Sequence, residues 1–377
     1  MRVRMSWLVF VGVFGLTVFP WPALAAVADS WKADWEQTLA AARKEGELSL
    51  WGDMEITHPE VVAAFSKAYP FIKVITVTGK VVELMPRIIA ERRAEKYLTD
   101  IYSGGLGGRA FLDFHRAKML DPIKPILILP DVVDESKWLG GKHHYADAEG
   151  QYIFMYEANP PGTGVSYNTK LVNPRELSSY WDLLAPQWKG KIGSYDPGGP
   201  SGSASMITFY YNPQLGASFL RRLLGEMEIL VSRDRRQATD WLGSGKVALC
   251  IPCRDIESAK KKGLPVDEFE RSNFKEAGGD IGTTGNSGLA MINKAPHPNS
   301  AKLFINWFLS REGQIVWQKV MNTKVVEASN STRIDIPKDD VLPEARREEG
   351  RNYRVTGFLD PDPVLKVVNE LLSEKIK

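Results

Sequence analysis

The residues best suited to chemistry lie in SYDPGGPSGSAS, residues 194–205. A loop rich in glycine leaves backbone amides uncovered, and Ser201, Ser203 and Ser205 add hydroxyls. Such a loop leading into a helix suits hydrogen bonding to an anion. The same residues come close to the G-x-S-x-G turn of a serine nucleophile, but Ser203 stands where that turn requires glycine. The elbow also needs a partnered histidine. The five histidines (58, 115, 143, 144 and 297) show no H-E-x-x-H or other metal spacing. His143 and His144 lie in a polar, glycine-flanked segment and read as solvated. No G-x-x-x-x-G-K-S/T phosphate loop occurs. A second reactive pattern is Cys250 and Cys253 in LCIPCR. Three readings stay open for it: a disulfide, a redox-active pair with a lowered thiol pKa, or a buried thiol beside a loop thiol.

Elements of two kinds must position these residues. GELSLWGDM, FIKVITVTG and LTDIYSGG read as strands, and HPEVVAAFSKAY and VVELMPRIIAERRAEK between them as helices, with apolar residues at Val61, Val62, Phe65 and Ala68 on one helical face. Strands alternating with helices indicate an α/β unit with a largely parallel sheet, whose ligands bind beyond the carboxyl ends of the strands. This nominates Trp51, Gly52, Asp53 and Met54 after the first strand, and Ser103, Gly104 and Gly105 after the third. A second series runs from GVSYNTKLV. It takes in a helix over WDLLAPQW, a strand into the serine-rich loop, an amphipathic helix over PQLGASFLRRLLGEM and an apolar strand KVALCI. RDIESAKKKG then reads as a helix with a glycine stop. NSAKLFINWFLSREGQIVWQKV is helical, burying Leu303, Phe304, Trp307 and Phe308, and a last helix begins near Pro363.

The N-terminus carries Arg2 and Arg4, an apolar run from Trp7 to Phe19 and an A-x-A pattern. That is a secretory signal peptide over 1–25, cleaved after Ala25 or after Ala28. No later stretch reaches the roughly 20 apolar residues of a membrane-spanning helix. The remaining chain, about 350 residues, exceeds what one core supports, so two lobes are expected. The formal charge is +2 and both signal arginines leave with the peptide, which argues against a nucleic-acid partner.

Three stretches in order resemble the solute-binding proteins of bacterial ABC importers, in particular the group that includes ferric-ion, aminoalkylphosphonate and sugar-phosphate binders. WDLLAPQWKGKIGSYDP is similar to that family's W-x-D-L-x-x-P-x-W-K-G-K-I segment. HPNSAKLFINWFLSREGQ resembles its C-terminal helix pair, and GVSYNTKLV its interlobe strand. The resemblance spans roughly residues 40–325. It implies an α/β, two-lobed periplasmic-binding-protein type II fold with crossing hinge strands, with 30–163 plus 287–377 as lobe one and 164–286 as lobe two. It further implies a periplasmic monomer without cofactor that captures a small solute and passes it to an inner-membrane ABC permease.

Within that frame the expected ligand is a small anion: a phosphonate, a phosphate ester or a carboxylate. The family's adjacent iron-binding tyrosines would fall at Cys253 and Arg254. A guanidinium at Arg254 instead favours bidentate contact with an oxyanion. The expected ligand-binding residues are Trp51, Asp53, Ser103 and Gly104 from lobe one, Ser201, Gly202, Ser203 and Arg254 from lobe two, and Asn286 and Ser287 at a lobe crossing. Trp51 could stack on a ligand or fill the strand end. Asp53 could pair with an ammonium group or cap the next helix. The alternative is a ferric ion with His58 as a ligand, although His58-Pro59 also makes sense as a helix start. An exported thiol oxidoreductase or hydrolase is a more distant class. Tyr210 and Tyr211 read as packing residues within a helix.

Overall fold

The computed structural model describes residues 30–79, 81–104, 114–159, 163–199, 202–270, 273–281, 288–325, 329–347, 353–355 and 359–373. The signal peptide and its cleavage site lie outside these residues. In chain order the strands are β1 (Glu47–Gly52), β2 (Lys73–Thr78), β3 (Ile101–Gly104), β4 (Leu120–Asp121), β5 (Ile153–Met155), β6 (Ala158–Asn159) and β7 (Ser166–Asn168). They continue as β8 (Ile192–Tyr195), β9 (Leu230–Ser232), β10 (Leu249–Cys250), β11 (Val266–Glu268), β12 (Gly279–Ile281), β13 (Gly288–Ile292) and β14 (Tyr353–Val355).

One sheet runs β2-β1-β3-β13-β4, with β5 also on β13. β1 is parallel to β2 and β3, pairing Gly52 with Ser103, whereas β13 is antiparallel to β3. β1 is apolar at Leu48, Leu50 and Trp51 because helices cover both of its faces. Helix Pro298–Leu309 supplies much of that cover. Leu303, Phe304, Trp307 and Phe308 are all buried, as their spacing predicts. Pro298 suits its first turn, where the missing N–H would have no partner in any case.

The second sheet runs β11-β7-β10-β8-β9. The stretch WDLLAPQW, expected as one helix, forms two 3-10 turns, Tyr180–Leu184 and Pro186–Trp188. Pro186 disfavours the helical conformation for Ala185, which is extended, so the first turn ends there. A capping box between Ser179 and Asp182 fixes its start.

A third, small sheet, β14-β12-β6, joins the other two. The chain leaves the first sheet through β6 and returns to it from β12 to β13. It then runs parallel to β12 as β14 before the C-terminal helix Pro361–Ser373. That helix packs on helices Ser203–Tyr211 and Gly216–Glu226, with Val364, Val367, Val368 and Leu372 in the second core. Placing all of 287–377 with lobe one therefore fails at its last helix. The amphipathic pattern gives an apolar face but not the surface that covers it.

Candidate functional site

At the carboxyl ends of β1 and β3 the two backbones lie so close that only glycine fits. A Cβ on Gly52 would overlap the Ser103 carbonyl oxygen and stand 2.8 Å from its carbon. Asp53 donates its backbone N–H to the same Ser103 oxygen at 3.2 Å. Its Oδ1 accepts the Met54 N–H at 2.9 Å and so caps helix Met54–Thr57. Gly104 (φ +141°) lies beneath Asp53, and the buried Ser103 hydroxyl meets the Tyr156 hydroxyl at 2.8 Å. Asp53, Ser103 and Gly104 thus form one group. Trp51 does not join it: the indole is 2% exposed, donates to Ser49 Oγ at 3.0 Å and lies under the Arg87 guanidinium at 4.4 Å. It fills the strand end. His58 accepts the Glu60 N–H on Nδ1 at 3.2 Å, capping helix Pro59–Ala68 as the simple helix-start reading has it.

Three residues of this group escaped the sequence reading. Glu55 is buried in the first turn of helix Met54–Thr57, beside the buried Tyr102 and Tyr156. Burial raises both phenols well above the ordinary tyrosine range, and the charges of Glu55 and Asp53 push them further up. The first sheet therefore ends in an acidic, phenolic patch. A four-residue helix is too short for an apolar period, so nothing in the pattern marks Glu55 as inward-facing.

In the second sheet, β8 leads into the serine-rich loop. Asp196 takes a left-handed conformation (φ +37°) and turns the loop back on itself. Gly199 donates to Asp196 O at 2.8 Å, and Gly202 and Ser203 donate to Gly199 O at 3.3 and 3.0 Å. The expectation of uncovered amides is thus corrected at Gly202 and Ser203, whose N–H groups close the turn. A Cβ on Gly202 would overlap the Tyr195 and Asp196 carbonyl oxygens, which explains this glycine by packing. Ser203 begins helix Ser203–Tyr211 and is buried. Ser201, Asn286, Ser287 and Gly105 lie outside the described residues.

Arg254 follows β10 and stands beside this loop, because Tyr195 donates to Pro252 O at 3.0 Å. Its carbonyl accepts the Thr239 hydroxyl at 2.8 Å. Its charge is felt at Glu268. Burial, then the charges of Glu257 and Asp267, raise that carboxyl, and Arg254 opposes them. Cys250 and Cys253 are joined by a disulfide, Cα to Cα 5.5 Å, and both are buried. The bridge overturns the reading of a buried thiol beside a separate loop thiol. Tyr210 and Tyr211 pack on the second core, and the Tyr211 hydroxyl donates to Asp360 O at 2.8 Å.

The solvated reading of His143 and His144 is overturned. Nε2 of His143 lies 2.7 Å from Val132 O, and Nε2 of His144 lies 2.7 Å from Leu139 O. Burial lowers both imidazoles. Polar flanking residues do not reveal that each ring finds a carbonyl partner inside. Among the described residues, no three histidine, cysteine, aspartate or glutamate side chains converge as a metal site would.

Residues 60–326 match the family of bacterial extracellular solute-binding proteins. No curated protein sequence matches the chain. Among solved structures, the chain is similar to Trichodesmium IdiA (FutA) in complex with iron and citrate ligands, with a TM-score of 0.60 and 16% identity over 86% of this chain and 99% of that one. Apo FutA2 from Synechocystis PCC6803 gives 0.59 and 16%, covering 86% and 98%. The Bordetella ferric binding protein gives 0.59 and 18%, also covering 86% and 98%. At these identities the likeness is one of fold, the two-lobed type II architecture of periplasmic binding proteins.

Proposed function

Because the chain belongs to the bacterial extracellular solute-binding proteins, we propose that it captures a small anionic solute between its lobes and delivers it to an inner-membrane ABC permease. In this reading it works in the periplasm as a monomer and performs no catalysis. The lobes divide near residues 163 and 287, with the C-terminal helix returning to the second. The observation that carries the ligand class is the contrast between the two strand-end groups. One ends in the Asp53 and Glu55 carboxylates with two phenols, the other in the Arg254 guanidinium. An anion takes Arg254, and an amino-bearing anion, such as an aminoalkylphosphonate, also suits the acidic end. Glu268 already shares the field of Arg254, so a ligand has to compete with it. A phosphonate or phosphate ester brings more charge than one carboxylate and competes best.

The alternative cargo is a ferric ion, in keeping with the iron-bound Trichodesmium protein and the Bordetella ferric binding protein. The capping bond of His58 and the packing of Tyr210 and Tyr211 occupy the side chains that would serve it. A thermal-shift panel of phosphonates, sugar phosphates, carboxylates and ferric salts separates the two. A ligand at about 100 times its Kd adds about 2.7 kcal/mol to stability. The expected result is a rise of roughly 4 °C with one of the anions. Arg254→Ala should abolish that rise. A rise with ferric salts alone, intact in Arg254→Ala, refutes the anion reading.

A further inference from the structure

Residues 329–347 carry four cations, Arg333, Lys338, Arg346 and Arg347, and among the described residues only Arg333 is held by carboxylates. Arg333 is fully buried, yet its Nε and Nη2 each donate to Asp335 at 2.9 Å, and its Nη1 lies 3.3 Å from Asp131 Oδ2. Among the described residues, Lys338 and Arg347 have no such partner. Lys338 Nζ donates to Gln318 Oε1 at 2.9 Å and to the Ser331 carbonyl at 3.0 Å. Arg347 Nη1 donates to that same Ser331 oxygen at 2.7 Å. Two like charges thus share one acceptor, and neither makes an ion pair with a carboxylate among the described residues.

Among the described residues, the groups facing them leave the charge uncompensated. Asp335, the acid whose charge acts on Lys338, is held on two oxygens by Arg333. Glu157 bridges to Ser331 through the backbone. Tyr353 is the group whose charge acts on Arg347. Burial, reinforced by the Arg347 charge, pushes Lys338 down to about 6, and burial takes Arg347 down to about 10. Half-buried like charges of this kind either shed a proton or gain a counter-ion. Both side chains are partly exposed, so a small ion can reach them.

We propose that Lys338 and Arg347 form a binding site for a small oxyanion, carboxylate, phosphate or sulfate in chemistry, beside the strands that cross between the lobes. The Arg347 Nη1 also lies 3.4 Å from Ala158 O in β6, so an anion held there ties residues 329–347 to a crossing strand. This site shares no residue with the cargo site of the preceding reading.

Calorimetric titration of the full chain with inorganic sulfate, in two buffers of different ionisation heat, tests it. Lys338 is largely neutral at pH 8 and must take up a proton to hold the ion. Wild type should therefore absorb about one proton per sulfate, and its affinity should fall about tenfold from pH 7 to pH 8. Lys338→Met should remove the proton uptake and weaken sulfate at least tenfold. Arg347→Met, a second variant should the first fail to fold, should weaken it similarly, while Arg254→Ala leaves it intact. Absence of sulfate binding, binding without proton uptake, or binding that survives both Met variants overturns the site. Loss in Arg254→Ala alone also overturns it, and leaves the cargo reading standing.

Discussion

Val368→Asp should lower the melting temperature by about 10 °C or more, the largest effect expected from any single side chain of the C-terminal helix. Val368 is fully buried, with Val364, Val367 and Leu372, against helices Ser203–Tyr211 and Gly216–Glu226. An unpaired carboxylate in that contact costs several kcal/mol, and the chain avoids it only by undocking the helix. Undocking uncovers an apolar face of the second core and costs roughly 1.5–3 kcal/mol for each buried aliphatic side chain. Part of this returns as conformational entropy of the freed helix, so the net loss falls short of the full burial term. Lys366→Asp, on the exposed side of the same helix, should shift melting by no more than about 2 °C. Differential scanning calorimetry of the two variants makes the comparison. Equal melting of Val368→Asp and wild type would mean that the helix does not hold the second core together.

That contact illustrates how far the sequence reaches. The spacing of Val364, Val367, Val368 and Leu372 marks an amphipathic helix, and the pattern of Leu303, Phe304, Trp307 and Phe308 marks another. Both form as read, because helical period is a local property of the chain. Which core each helix covers is a long-range matter, and there the two differ. The one from Pro298 stays with the first sheet, while the one from Pro361 crosses to the second. The candidate site divides the same way. That Asp53 and Ser103 stand at strand ends follows from the β-α-β alternation. Trp51, still within β1, packs instead with Tyr102 and Met155 in a core beside the sheet. The serine-rich loop was legible as a turn before a helix, but not as one whose amides close on Gly199 and Asp196. The left-handed Asp196 that makes this possible has no signature in residue type alone, since aspartate adopts that conformation only sometimes. Glu55, His143 and His144 share one cause: a polar residue placed inside is indistinguishable in sequence from one placed in water.

Gly52→Ala is the substitution expected to damage the fold and the candidate site together. The new Cβ would overlap the Ser103 carbonyl oxygen, and backbone atoms cannot swing aside as a long side chain can. β1 and β3 must separate at their carboxyl ends. This stretches the Asp53 N–H bond to Ser103 and moves the cap of helix Met54–Thr57. It also draws Ser103 away from Tyr156, its hydroxyl partner at 2.8 Å. Overpacking of this kind costs about 1–3 kcal/mol where the surroundings yield, and more where they are paired backbone. Gly46→Ala supplies the contrast. Gly46 is left-handed (φ +69°), but a Cβ there meets nothing within 4 Å, so only conformational strain of about 1–2 kcal/mol is added. Melting should therefore fall by about 2–6 °C in Gly46→Ala and clearly further in Gly52→Ala. The decisive readout is the ligand-induced thermal shift. It should persist in Gly46→Ala and vanish in Gly52→Ala if the carboxyl ends of β1 and β3 form one wall of the binding site. A full shift in a folded Gly52→Ala protein would take Asp53 and Ser103 out of that wall and leave ligand capture to the Arg254 side.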